Sequence, residues 1–193
     1  MRSVAARVFA AAVMSWVFLH SPAEIEAQQA RTLVHGEASN GGFGANVFTG
    51  SGVNAHSAGF FGARGAWISD HVFALGVGGY VMGGGVDVER PAGERSLTMW
   101  YGGAELEFIS GWSQVYHITF LTLVGGGALG LEGESDGIWA VEPQLNLEIN
   151  VNSFFRLNFG GGYRFIWDVD IPELSNGDLS QFFGQVSLKF GAF

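Results

Sequence analysis

Beyond residue 30, hydrophobic and polar positions alternate with a period of two, the pattern of strands whose successive side chains point to opposite faces. The alternation is sharpest late in the chain. Phe155, Leu157, Phe159, Gly161, Tyr163, Phe165 and Trp167 share one face, and Arg156, Asn158, Gly160, Gly162, Arg164 and Asp168 the other. The preceding run sets Trp139, Val141, Leu145, Leu147 and Ile149 against Glu142, Gln144, Asn146, Glu148 and Asn150, and an earlier one sets Trp100, Ala104, Leu106 and Phe108 against Tyr101, Glu105 and Glu107. No stretch of useful length carries a helical period. Eight strands are predicted, over about 35–48, 57–68, 72–87, 96–110, 115–131, 137–150, 154–168 and 179–192. The first shows almost no pattern, and the fifth puts Leu121 and Leu123 on the otherwise polar face.

The breaks alternate in length. Ser69 to His71, Gly111 to Gln114 and Val151 to Ser153 read as tight turns, whereas 49–56, 88–95, 132–136 and 169–178 read as longer polar loops. Short turns at one end and longer loops at the other, with an even strand count, predict an all-β, eight-stranded antiparallel up-and-down transmembrane barrel with both termini on the short-turn side.

Alternation alone does not say which face is outside, so a soluble eight-stranded ligand carrier is the rival architecture. Composition decides between them. Charged residues are 14% of the chain, including a single Lys, against roughly 25% in a typical soluble domain. Outside the N-terminus no apolar run reaches the ~18 residues of a membrane helix. Trp67 and Trp112 lie beside short turns, and Trp100, Trp139 and Trp167 lie near the loop ends, as two interfacial girdles require. The apolar faces are therefore read as facing lipid.

The polar faces then meet inside the tube. They bring together Arg64, Arg156, Arg164 and Lys189 with Glu105, Glu107, Glu142 and Glu148, and with Glu37 and His117 alongside. Charges in such a place need partners, because an unpaired one costs several kcal/mol. If Asn150 faces Phe154, Glu148 faces Arg156, Asn146 faces Asn158, and Glu142 lies diagonal to Arg164; His117 is paired with Glu107. Eight strands leave an interior just wide enough for side chains, so a filled barrel is expected rather than an open pore. Glycine clusters at 78–79, 102–103, 125–127 and 160–162 leave room for large interior partners.

The N-terminus reads as a signal peptide spanning 1–27. Arg2 and Arg7 precede an apolar core from Val8 to Leu19, with cleavage expected between 23 and 30; the barrel domain is 28–193. There is no cysteine, which excludes lipid anchoring, disulfides and thiolate metal sites. Removing 1–27 takes two Arg and two Glu, leaving a net charge of −9 that excludes a nucleic-acid partner.

On these residues the chain resembles the eight-stranded outer-membrane barrels typified by the OmpA transmembrane domain and OmpX, and more broadly the small porin-like barrels. The likeness covers 35–193. It implies the Gram-negative outer membrane, with termini in the periplasm, a bilayer containing lipopolysaccharide as surroundings, and a monomer. In these families a terminal aromatic, here Phe193, is read by the barrel-assembly machinery. The apolar set Phe182, Val186, Leu188 and Phe190 is one residue out of phase with Phe193, and a bulge at Gly191 would restore the phase.

Some barrels of this size modify lipid A. The nearest match to their His-x-Ser pair is His117-Ile118-Thr119, which has Thr in place of Ser and both side chains inside; His56 with Ser51 or Ser57 is the loop alternative. Neither is taken as catalytic. His35, His56, His71 and His117 lack metal-ligand spacing, and no cofactor is expected. The loops hold ten carboxylates (Asp87, Glu89, Glu94, Glu132, Glu134, Asp136, Asp168, Asp170, Glu173, Asp178) against Arg90 and Arg95, an acidic solvated rim. The expected role is non-enzymatic, structural or through loop interactions, with narrow transport of small solutes or apolar molecules as the alternative.

Overall fold

The computed structural model describes residues 40–193 except 55, 91–92, 132–133 and 173, and the side chains of 87–95 are not described. The expected signal peptide, His35 and Glu37 lie outside the described residues. In order along the chain come β1 (Asn40–Val53), β2 (His56–Ser69), β3 (Phe73–Met82), β4 (Val86–Arg90), β5 (Gly93–Ser110), β6 (Tyr116–Leu131), β7 (Glu134–Asn150), β8 (Phe155–Tyr163), β9 (Phe165–Trp167), α1 (Asn176–Leu179) and β10 (Phe182–Ala192).

All pairings are antiparallel. β1 pairs with both β2 and β10, and β5 pairs back to β3, so the sheet closes on itself. β3 and β4 are one stave interrupted at Gly83 to Gly85, where Gly84 takes φ +96; β8 and β9 are another, interrupted at Arg164. The result is a closed eight-stranded antiparallel barrel.

Strands carry into three of the four expected long loops. β1 runs to Val53 and β2 starts at His56, so the Gly-Ser-Gly at 50–52 is ladder rather than loop: Gly50 pairs with Gly184 on one side and Gly59 on the other. Pairing on both sides fixes a backbone that glycine alone would leave free. Likewise β4 and β5 extend through most of 88–95, and β7 begins at Glu134. Only the fourth, 168–181, is a true excursion, and it holds the short helix α1, which periodicity did not predict. The tight turn after β2 is as expected, with Asp70 and His71 both left-handed (φ 55 and 58).

The two faces are sorted inside out. Leu75 and Val77 are 61% and 67% exposed on the outer surface, while Glu107, Glu148, Asn158 and Arg164 are 0% exposed inside. Trp67, Trp100, Trp112, Trp139 and Trp167 all face outward. Ten positions separate Trp100 from Ser110 at the short-turn end; at ~3.3 Å each and ~40° tilt they span about 25 Å along the axis, the height of a bilayer's apolar band.

The interior is not uniformly polar, as the alternation had suggested. It has three tiers. The short-turn end packs Phe43, Ala45, Ile68, Ala74 and Ile109 against Ala66 and Phe193. The charged groups occupy the middle. The loop end is aliphatic, with Val53, Met82, Leu97, Met99, Leu129 and Leu131 among its buried members, joined by Ile171, Leu174 and Leu179 from the excursion. Those side chains sit where the barrel mouth is covered, so the same inward register positions that need polar partners lower down find an apolar lid here.

Candidate functional site

The charged tier is assembled from seven of the eight staves, each supplying inward positions of its alternation. Arg64 on β2 places Nε 2.6 Å from Glu105 Oε2 and Nη2 3.0 Å from Glu107 Oε2, both on β5. Tyr80 on β3 donates its hydroxyl to Glu105 Oε1 at 3.0 Å. Lys189 on β10 donates to Glu107 Oε1 at 2.8 Å and also to Glu148 on β7. Glu148 collects Arg156 Nη1 at 2.9 Å and Asn158 Nδ2 at 3.3 Å from β8, and lies 3.1 Å from His117 Nε2 on β6.

A second group stands above it. Arg164 donates Nε to Glu142 Oε1 at 2.5 Å and Nη2 to the Tyr101 hydroxyl at 2.7 Å. Its guanidinium lies over the rings of Phe60, Tyr101 and Phe183, at 4.3, 4.8 and 5.7 Å from their centroids. Tyr80 and Tyr101 stack 5.2 Å apart and join the two groups. Amides fill the flank: Gln185 donates to Gln144 and, at 3.1 Å, to Asn146 Oδ1, and Asn146 donates to Thr119 Oγ1 at 3.4 Å.

Four carboxylates thus face three arginines and one lysine, all buried. Taking such charges from water is costly, and only multiple close partners offset it; Glu107 and Glu148 each have at least two. Glycines make the room. A Cβ at Gly62 would overlap the Tyr80 ring, and one at Gly78 would overlap the Glu105 carboxylate.

The structure brings together Arg64, Glu105, Glu107, His117, Glu148, Arg156 and Lys189, and sets Glu142 with Arg164. Three pairings differ from expectation. β7 and β8 are registered two residues away: Asn150 faces Arg156, Glu148 faces Asn158, and Gln144 faces Gly162. A two-residue slip keeps every side chain on its face, so alternation cannot detect it. Arg156 reaches Glu148 diagonally, and the same register carried to Val141 and Phe165 brings Glu142 level with Arg164. His117 is directly opposite Glu148, not Glu107. The β1–β10 ladder runs without a bulge from Ser51 with Phe183 to Gly42 with Ala192, so Phe193 keeps the inward phase. It lies 6.1 Å from the Phe43 ring, with the Arg156 guanidinium 3.9 Å above it.

Sequence reasoning did not single out Tyr80, Tyr101, Thr119, Gln144, Asn146, Asn158 or Gln185 as network members. Their inward register was readable; their partners were not. The residues considered for lipid chemistry are engaged elsewhere: His117 with Glu148, Thr119 with Asn146, His56 Nδ1 2.8 Å from the Asn54 carbonyl, and Ser51 donating to Phe182 O at 3.1 Å.

No family model and no curated protein matches the chain. Solved structures do share its fold. Neisserial surface protein A superimposes with a TM-score of 0.53 at 12% identity, covering 81% of this chain and 99% of that one. The attachment invasion locus protein Ail of Yersinia pestis, solved with the heparin analogue sucrose octasulfate, gives 0.50 at 9% identity, covering 79% and 97%.

Proposed function

We propose that this chain is a bacterial outer-membrane barrel with a sealed interior, serving without catalysis as a structural element or through contacts at its loop end. The observation that carries this reading is the inside-out sorting of the wall. A belt of Phe, Leu, Val and Trp at 40% exposure or more would be untenable in water, whereas a charge-balanced interior suits a tube whose outside is lipid. β1 begins and β10 ends at the short-turn end, which this reading places in the periplasm.

Residues 1–27 act as the export signal, and Phe193 is available to the assembly machinery before the barrel closes. Lipopolysaccharide surrounds the finished monomer. The ion pairs fill the bore, so solutes do not pass while they hold. Ail's sulfated ligand sets a contrast: this chain carries a net charge of −9, and its loop rim is acidic, so a polyanion is repelled.

Cell fractionation tests the reading directly. The protein is expected in the detergent-extracted outer membrane, and recovery from the soluble periplasm overturns it. In a planar bilayer the protein is expected to show no discrete conductance steps; steps would favour a narrow transport path. Sucrose octasulfate is expected to produce no shift in its thermal unfolding.

A further inference from the structure

Among the described residues, one segment contributes buried side chains over the apolar tier at the loop end. After β9, Asp168 takes a left-handed conformation (φ 71) and turns the chain across the barrel mouth. From this strap, Ile171, Leu174 and Leu179 are buried among Leu97, Met99, Leu129 and Ile166. Among the described residues it is held by single hydrogen bonds rather than by a ladder, including Tyr163 O–H donating to Ser180 O at 3.0 Å. Asp170 N–H donates to Asp136 Oδ2 at 2.5 Å, Asn54 N–H donates to Asp178 O at 2.8 Å, and Ile166 N–H donates to Ser180 Oγ at 2.9 Å. The described residues of the strap make no ladder with the wall before Gln181, which exchanges two backbone bonds with Arg164.

The floor of this tier is unusual. Phe60 and Tyr101 belong to the apolar cluster and also carry the Arg164 guanidinium. Arg164 is fully buried, yet its Nη1 has no hydrogen-bond partner among the described residues. A buried donor on a charged group without an acceptor is disfavoured. An aliphatic seat closed by three side chains of a strap without a ladder, on a floor whose aromatic rings carry a guanidinium with an unpartnered N–H, has the form of a site occupied by its own cover.

We infer that the strap is a displaceable lid, and that the seat beneath it accepts an acyl chain whose head presents a neutral carbonyl. The chain replaces Ile171, Leu174 and Leu179, and the carbonyl accepts from Arg164 Nη1. A neutral head fits better than a carboxylate, because Glu142 already balances Arg164 and a second carboxylate would leave a net buried charge. This inference goes beyond the sealed-barrel reading and needs no path through the charged tier, so conductance and ligand binding report on the two separately.

The absence of cysteine makes the test clean. In the full chain folded in detergent, Asp136→Cys with Asp170→Cys staples the strap to β7 when oxidised and frees it when reduced. The probe is methyl cis-parinarate. Saturable binding near one per barrel is expected in the reduced protein, weakened at least tenfold by oxidation; equal binding in the two states, or none in the reduced one, overturns the lid. Leu179→Cys alone is expected to react with a maleimide several-fold faster when the probe is present, and an unchanged rate also overturns it. Arg164→Met with Glu142→Leu removes the pair together, keeping the interior balanced; probe affinity unaffected by it overturns the head contact.

Discussion

Around Glu107 and Glu148 the barrel is closed by ion pairs; around Leu97 and Leu129 it is closed by aliphatic packing under the strap. The two tiers occupy the same tube and the same inward register, yet they fill it by different physics. The charged tier is directional: each carboxylate is tolerated because named cations reach it from other strands, so one deletion strands several groups. The apolar tier is graded by volume and depends on a cover, so one deletion leaves only a cavity. On this contrast, the proposed opening belongs to the loop end and not to the middle of the barrel.

The sharpest way to break this contrast is Glu148→Ala. It leaves Lys189 and Arg156 without a shared acceptor, and a loss of about 3–5 kcal/mol is expected in urea unfolding of the detergent-folded protein. A more stable variant would mean that Glu148 does not organise the tier. Leu129→Ala in the apolar tier is expected to cost about 3 kcal/mol, within the range for buried Leu truncations. It should also speed thiol labelling at Leu179→Cys, which Glu148→Ala should not. Replacing Arg164 and Glu142 together by Met and Leu is expected to change stability by less than about 1 kcal/mol, or to raise it, because well-packed apolar groups often match a buried pair. A loss as large as that of Glu148→Ala would make the aromatic cage around Arg164 part of the charged tier rather than its boundary.

The last prediction concerns register and should leave stability almost unchanged. Leu147→Cys with Phe159→Cys, directly opposite in the β7–β8 ladder, is expected to cross-link in the native barrel. Leu147→Cys with Leu157→Cys is expected to cross-link far less. The reverse order would restore the register in which Glu148 faces Arg156.

Much of the wall was legible from the alternation. Which residues face inward, including Leu121 and Leu123, follows from period two, and the closed eight-stave barrel follows from counting runs. The failures share a cause. The unpatterned stretch at 49–56 was read as a loop because Gly-Ser-Gly has no apolar side chains to alternate, yet Thr49 to Ser51 are paired on both sides. The apolar tier was read as polar because the most charged strands set the expectation for all of them. The strap was read as a solvated loop because Ile171, Leu174 and Leu179 are spaced irregularly, and only the fold shows their common burial.

By itself the sequence determined faces and stave count, because these depend on alternation, which is local. Only the tertiary structure decided who meets whom. Lys189 reaches Glu107 across 82 positions of chain, His117 meets Glu148, and Phe193 turns inward over Phe43. Height along the barrel is set by pairing between strands. A slip of two residues preserves every face while changing every partner, so the pattern that announces the barrel is blind to the contacts inside it.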